Sequence, residues 1–314
     1  MKKVIALMLT LALAASMLVA CGEKPAPAPA PSEAPKATEA PAEKPATDAV
    51  KDAATGYFAN FPEDRHMIGV KDLFAKIDAG EEMVILDVRQ PDAYAEGHLK
   101  GAYNVPLGAD VAKALEAIPD DAAVFVNCYT GQTSSQVVAL LNIAGKHVTN
   151  IQGGYKNGIA TTEGFEKYID KTACTLPTET YPVDDAIEAA IAKYFDDMAA
   201  SSFKYFNFPA DKLLELVQAE SEDYTILSVR KAEDFAKGHI AGAINIPFGK
   251  GMQEKFSEIP TDKPVIVYCY TGQTSSQTTA TLRMLGYEAY SLAGGMGKEG
   301  GAGWLGAKGP VVTE

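Results

Sequence analysis

The chain has 314 residues, 47% of them hydrophobic, with 41 acidic against 28 basic side chains and a formal net charge of −13. That charge repels phosphate backbones and anionic headgroups, so nucleic acid is excluded as a partner and any membrane attachment must come from something other than a basic surface. Four widely spaced cysteines with no Cys-x-x-Cys pair, and four scattered histidines, give no metal-ligand pattern, and neither a metal nor an organic cofactor is expected.

The first segment, residues 1–20, carries Lys2 and Lys3 and then an apolar run from Val4 to Ala20, the pattern of a secretory signal peptide. It ends Leu18-Val19-Ala20-Cys21-Gly22, which resembles a bacterial lipoprotein processing box. By that resemblance Cys21 is the lipidation site, and the globular part is extracytoplasmic and lipid-anchored to a bacterial membrane. Residues 21–47 are almost entirely Pro, Ala, Glu, Lys, Ser and Thr, a composition too poor in apolar surface to fold, so a disordered tether is expected. About 265 residues remain, enough for two domains with ordinary cores.

Within residues 48–173 helix and strand patterns alternate. A leading helix contains Ala49-Val50 and Tyr57-Phe58. Lys71–Ala79 reads as an amphipathic helix stopped by Gly80, and Met83–Val88 as a buried strand. Pro91–Glu96 opens a short helix, Val111–Ile118 is helical in pattern, and Ala123–Val126 is a strand. Ser134–Ala144, apolar over much of its surface, is a helix stopped by Gly145, and His147–Ile151 is a strand. This alternation implies an α/β domain with a mainly parallel sheet flanked by helices. Residues 174–182, with two prolines, read as a linker, and residues 183–314 as a second domain.

The second domain repeats the first. Cys-Tyr-Thr-Gly-Gln-Thr-Ser-Ser-Gln stands at Cys128–Gln136 and again at Cys269–Gln277, 141 residues on (269 − 128). At the same offset Ile85–Arg89 matches Ile226–Arg230, Gly97–Pro106 matches Gly238–Pro247, and Gly153-Gly154 matches Gly294-Gly295. The leading helix recurs as Ala186-Ile187 with Tyr194-Phe195, so each domain is expected to carry one. Both cysteines fall between a buried strand and a helix, where open backbone N–H groups favour a thiolate over a thiol. Two such cysteines point to sulfur chemistry performed twice.

Taken in order, Asp-Val-Arg, Gly-His-(Leu/Ile)-x-Gly-Ala-x-Asn-(Val/Ile)-Pro, the Cys-x-x-Gly-x-Thr loop and Gly-Gly resemble the rhodanese family, over residues 66–173 and 207–305. The resemblance implies two tandem rhodanese-like domains and a sulfurtransferase. Its loop cysteine takes sulfane sulfur from a donor (polysulfide, persulfide or thiosulfate), becomes a persulfide, and passes the sulfur to a thiophilic acceptor such as a thiol or cyanide. By position Cys128 and Cys269 are the nucleophiles. The loops Tyr129, Thr130, Gly131, Gln132, Thr133, Ser134 and Tyr270, Thr271, Gly272, Gln273, Thr274, Ser275 would bind the substrate or persulfide with backbone N–H groups. Hydroxyls of Thr133, Ser134, Thr274 and Ser275 either donate to sulfur or cap the helix. Asp87, Arg89 and Arg230 are candidate supporting residues, Arg89 and Arg230 as anion binders or as scaffold paired to a carboxylate.

Two departures from the family pattern matter. Thiosulfate-using members carry cations inside the loop, whereas Tyr129-Thr130 and Tyr270-Thr271 stand here, which favours a less charged donor. Asp87 is replaced by Ser228 in the second domain, which would make the two cysteines differ. His98, His239 and Trp304 are expected to be structural, and Cys174 is either an inert thiol or a resolving one. Ser134 and Ser275 occupy the place of the arginine in a Cys-x₅-Arg phosphatase loop, which excludes that chemistry. A membrane-tethered, non-catalytic sulfur-carrier or binding protein, handing persulfide to a protein acceptor, is the alternative reading, and a Cys128–Cys269 disulfide is a lesser one.

Overall fold

Why the chain folds as two sheets is visible in its strands. In a parallel sheet covered on both faces every side chain is buried, so strands read as unbroken apolar runs. The computed structural model describes residues 47–313, and in it Val124–Asn127 and Val265–Tyr268 are buried at every position. The signal, the tether and Cys21 lie outside the described residues. No helix among the described residues is long and apolar enough to cross a membrane.

The first sheet contains β1 (Met67–Ile68), β2 (Val84–Asp87), β4 (Tyr103–Asn104), β5 (Val124–Asn127) and β6 (Val148–Ile151), ordered β1-β6-β5-β2-β4 and wholly parallel. A small antiparallel pair, β3 (His98–Leu99) with β7 (Ile169–Asp170), ties down the end of this domain. The second sheet contains β8 (Asn207–Phe208), β9 (Thr225–Ser228), β10 (Ile244–Asn245), β11 (Val265–Tyr268) and β12 (Ala289–Leu292), ordered β10-β9-β11-β12-β8 and again parallel. Each cysteine follows the central strand of its sheet, β5 or β11. This is the carboxyl end, where open α/β sheets place their sites.

The helices are α1 (Asp48–Ala59), α2 (Val70–Asp78), α3 (Pro91–Glu96), α4 (Ala109–Lys113), α5 (Gln132–Ile143), α6 (Asp185–Ala200), α7 (Ala210–Gln218), α8 (Ala232–Lys237) and α9 (Gln273–Met284). The expected helix at 111–118 is shorter, ending at Lys113 and passing into a 3₁₀ turn at Leu115–Ala117; its counterpart in the second domain is wholly 3₁₀, Met252–Glu258. The loop helices start at Gln132 and Gln273, two residues before the expected serine, because Gly131 and Gly272 reverse the chain at φ 82° and 91°.

Both sheets belong to one compact body. α5 and α9 pack on each other at its centre, and one apolar core runs through both domains. The leading helices cross over. α1 lies against α9 and the Met252–Glu258 turn of the second domain, where the Tyr57 hydroxyl donates to Gln277 Oε1 at 2.6 Å and Phe58 O accepts from Gly251 N at 3.0 Å. α6 lies against α4, and the Tyr194 hydroxyl donates to Gln136 Oε1 at 2.7 Å. Each leading helix therefore bridges the two domains, α1 lying also against α5 and α6 also against α9.

Candidate active site

Each cysteine Sγ is held by two donors. Gly131 N–H donates to Cys128 Sγ at 3.1 Å and the Ser134 hydroxyl lies 3.1 Å from the same atom. In the second loop Gly272 N–H donates to Cys269 Sγ at 3.1 Å, and the Ser275 hydroxyl lies at 3.4 Å. Neither serine caps its helix: the cap positions are Gly131 and Gly272, with no side-chain cap. Of the two roles open to these hydroxyls from sequence, the geometry shows donation towards sulfur. Thr133 is half-buried and Thr274 buried beside the same turns.

The Gly-Gly pair after β6 and β12 explains the loop shape. Tyr155 N donates to Cys128 O at 2.7 Å and Lys156 N to Tyr129 O at 2.8 Å; Met296 and Gly297 do the same for Cys269 and Tyr270. A Cβ on Gly154 would stand 2.5 Å from Cys128 O and 2.6 Å from Gly131 N. On Gly295 it would stand 2.7 Å from Cys269 O and 2.8 Å from Gly272 N. With φ at 60° and 61°, these glycines are required both by backbone angle and by space.

Asn150 and Ser291 were not singled out by sequence, and they are the partners behind the serines. Ser134 Oγ lies 2.6 Å from Asn150 Oδ1, and Ser275 Oγ 2.9 Å from Ser291 Oγ. The only signal available was their equal place in two repeated strands. Gln132 and Gln273 turn out of their own loops into the opposite domain. Gln132 Nε2 donates to Ser291 Oγ at 3.1 Å and to Leu292 O at 3.2 Å, and its Oε1 accepts from Gly294 N at 3.1 Å. Gln273 Oε1 accepts from Asn150 Nδ2 at 3.0 Å and from Gly153 N at 3.2 Å. The two loops are thus tied to each other's supports.

The supporting residues differ between domains. Arg89 is scaffold: its Nε and Nη2 donate to both Asp87 carboxylate oxygens at 2.6–3.0 Å, Nη2 also reaches Gly97 O, and the guanidinium lies 3.9 Å from the Tyr155 ring centroid. Arg230 has Ser228 in place of that carboxylate. It reaches Gly238 O, its Nε is buried without a hydrogen-bond partner among the described residues, and it faces the rings of Tyr268 and Tyr270. His98 and His239 each have Nδ1 at a carbonyl four residues back and stack on an aromatic ring, Tyr94 or Phe235. Trp304 is fully buried, its Nε1 donating to Pro310 O at 2.8 Å. Cys128, Cys174 and Cys269 are all free thiols. Cys174 is half-buried, its N–H donating to the Tyr94 hydroxyl at 3.3 Å.

Cys128 and Cys269 are each 1% exposed, so the sulfur atoms form the floors of their sites, with Tyr129 and Tyr270 exposed at the rims. Cys269 opens into a cavity of about 170 Å³ walled by its own loop, by Lys231 and Phe248, and by Arg65, Met67 and Gln152 of the first domain. Among the described residues no cluster of His, Cys, Asp and Glu could hold a metal ion.

The Rhodanese-like domain family model matches residues 70–161 and 209–298, more than half of the chain and both Cys loops. The chain belongs to the rhodanese-like family. It is 38% identical over 82 residues to the thiosulfate sulfurtransferase GlpE of Coxiella burnetii (strain RSA 331 / Henzerling II), which covers 26% of this chain and 74% of that protein. It is 46% identical over 77 residues to YqhL of Bacillus subtilis (strain 168), covering 24% of this chain and 60% of that protein. Each such match is thus about one domain long, and the chain spans less than two thirds of several of these relatives. Among solved structures, the 3-mercaptopyruvate sulfotransferase SseA of Escherichia coli is matched over 74% of this chain and 99% of its own, at 20% identity and a TM-score of 0.34. The rhodanese-like fold, with sulfurtransferase relatives, places the duplicated loops in a family of sulfur-handling proteins.

Proposed function

We propose that this rhodanese-like protein is a sulfurtransferase that carries sulfane sulfur on Cys128 and Cys269 as persulfides. The observation that supports this best is the matched pair of donors on each sulfur, a glycine N–H and a serine hydroxyl, in both loops. In the first step a cysteine thiolate attacks the outer sulfur of the donor. A Cys S–S bond forms, the donor's S–S bond breaks, and the leaving group departs with the electron pair. A thiolate or cyanide then attacks the outer sulfur, taking it and returning the cysteine thiolate. The N–H and hydroxyl donors stabilise the anionic sulfur at each stage without proton abstraction. The sequence expectation of a signal peptide and Cys21 lipidation belongs to this proposal as its setting: an extracytoplasmic face of a bacterial membrane, with a small sulfur donor and a thiol, cyanide or protein acceptor.

The test uses soluble protein beginning after residue 47, reduced and then treated with polysulfide. Intact mass should rise by one sulfur at each of two sites, fall back on cyanide, and lose one site each in Cys128→Ser and Cys269→Ser. Steady-state turnover of cyanide supports a transferase. Loading without turnover would leave a sulfur carrier, and no loading would reject the reading.

A further inference from the structure

The two sites share a backbone and differ in charge. Between each leading helix and the first strand of its sheet, two non-glycine residues stand at positive φ: Arg65 and His66 (62° and 52°), and Tyr205 and Phe206 (59° and 53°). A non-glycine pair in this region is held there by its surroundings at some cost. The clamp is the same in both: Gln277 Nε2 donates to Arg65 O at 3.3 Å, and Gln136 Nε2 to Tyr205 O at 2.9 Å. These glutamines close the two Cys motifs. The same device thus brings an arginine towards Cys269 and a tyrosine to the corresponding place by Cys128.

Three differences add in one direction. Arg65 lines the Cys269 cavity, and its guanidinium has no hydrogen-bond or ion-pair partner among the described residues. Lys231 lines the same cavity, where the first domain has Gln90. Arg230, behind the loop, lacks the carboxylate that Asp87 gives Arg89. Acidic side chains oppose these cations in part: Glu233 pairs with Lys231 at 3.8 Å, Asp234, which accepts from the Tyr270 hydroxyl at 2.6 Å and from Lys237 at 3.0 Å, also faces Arg230, and Asp64, next to Arg65 in the chain, accepts from His66 N at 2.9 Å. On the Cys128 side the nearby cations are exposed Lys204, 4.9 Å from the Tyr205 ring centroid, Arg283, whose guanidinium lies 3.6 Å from the Phe206 ring centroid, and exposed Lys156, whose backbone N–H donates to Tyr129 O at 2.8 Å.

We propose that Arg65, supplied by the first domain, together with Lys231 and Arg230, makes the Cys269 site selective for an anionic sulfane-sulfur donor such as a thiosulfonate, while the Cys128 site takes donors without that charge. This rests on the persulfide reading above. With thiosulfate as the anion, Cys269 thiolate attacks the outer sulfur, the S–S bond to the sulfonate sulfur breaks, and sulfite leaves with the electron pair. Arg65 and Lys231 hold the oxygens that become sulfite. The neutral loop residues Tyr270 and Thr271 then need no charge of their own, because the cations come from outside the loop.

The experiment measures single-turnover loading of each cysteine by peptide mass, in Cys128→Ser and Cys269→Ser backgrounds, with two donors: thiosulfate, and an alkyl hydropersulfide whose organic part is uncharged. The hydropersulfide should load both cysteines; if it loads neither, the persulfide reading itself fails. Thiosulfate should load Cys269 at least about tenfold faster than Cys128, and Arg65→Gln should remove about tenfold of that rate while slowing hydropersulfide loading at Cys269 far less. A structural role for Arg65 would lower both donors together. The reciprocal gain is decisive where Arg65→Gln folds poorly: Gln90→Lys with Tyr205→Arg should raise thiosulfate loading at Cys128. Equal thiosulfate rates at the two cysteines, a loss of both donors in Arg65→Gln, or no gain in the double variant would overturn the proposal.

Discussion

At the scale of single residues, the serine behind each cysteine is the clearest point of leverage. The Ser134 hydroxyl has one proton and two acceptors, Cys128 Sγ at 3.1 Å and Asn150 Oδ1 at 2.6 Å. An anionic sulfur competes better for that proton than an amide oxygen does, so the bond strengthens as charge gathers on sulfur. Ser275 stands farther off, at 3.4 Å, and its neighbour Ser291 is shared with Gln132 and Ser276. Ser134→Ala should therefore slow sulfur loading at Cys128 by about tenfold, the worth of about 1.4 kcal/mol for one hydrogen bond to a charged group. Ser275→Ala should slow Cys269 by less. Site-resolved loading rates decide it, and an equal or reversed pair of losses would contradict this reading of the distances.

At the scale of elements, α9 is expected from the repeat, but its composition hides its burial. Its sequence, Gln-Thr-Ser-Ser-Gln-Thr-Thr-Ala-Thr-Leu-Arg-Met, reads as a surface helix, yet nearly every residue is buried between α5, β11 and β12. Thr278 and Thr281 pay their desolvation by donating to the carbonyls of Thr274 and Gln277 one turn back, each at 3.0 Å. Thr279 Oγ1 is buried with no hydrogen-bond partner among the described residues. Thr279→Val, of the same shape, should therefore stabilise by about 1 kcal/mol, seen as a rise of roughly 2–4 °C in Tm; a fall in Tm would show that the hydroxyl is satisfied after all. The repeat, the alternating elements and both Cys loops were legible because each rests on local signals: apolar runs, glycine stops and an identical motif. What α9 packs against was not, because it is covered both by its own sheet and by α5 and α1 of the other domain, which leaves no apolar period in the sequence. The same holds for Arg65. Its importance lies in a residue from before the first sheet reaching a cysteine more than two hundred positions later, and only Tyr205 at the matching place hinted at a difference.

At the scale of the whole molecule, α1 and α6 each bridge both domains and the Gln132 and Gln273 ties cross between them, so the chain should unfold as one unit. Expressed as separate chains, residues 48–173 and 183–314 should each lose cooperative unfolding, since Phe248 and Phe256 lose the Phe58 contacts that α1 provides, and regain it on mixing as a one-to-one complex. Two monomeric halves that each melt sharply would argue against it. The junction also carries a titratable group. His66 stacks on Tyr57 at 5.3 Å and meets Phe61 edge-on, and burial, with His147 adding to it, pulls its pKa from 6.5 to about 4 although Asp64 pushes the other way. Between those values the unfolded chain binds a proton that the folded one refuses. The stability this group allows is therefore complete above about pH 6.5, falls as pH drops towards 4, and is level below that. Part of the ring is wetted, which screens the effect to about 2 kcal/mol. The carboxyls of Asp78, Asp170 and Asp234 are depressed from an ordinary value already below this window, so the stability they add is present throughout it and is lost only at lower pH. His66→Phe keeps the aromatic stack and removes the proton; its backbone cost at positive φ is the same at every pH and cancels from the slope. The Tm of the parent should fall between pH 6.5 and 4.5 by several degrees more than that of His66→Phe, and parallel curves would place the acid lability elsewhere.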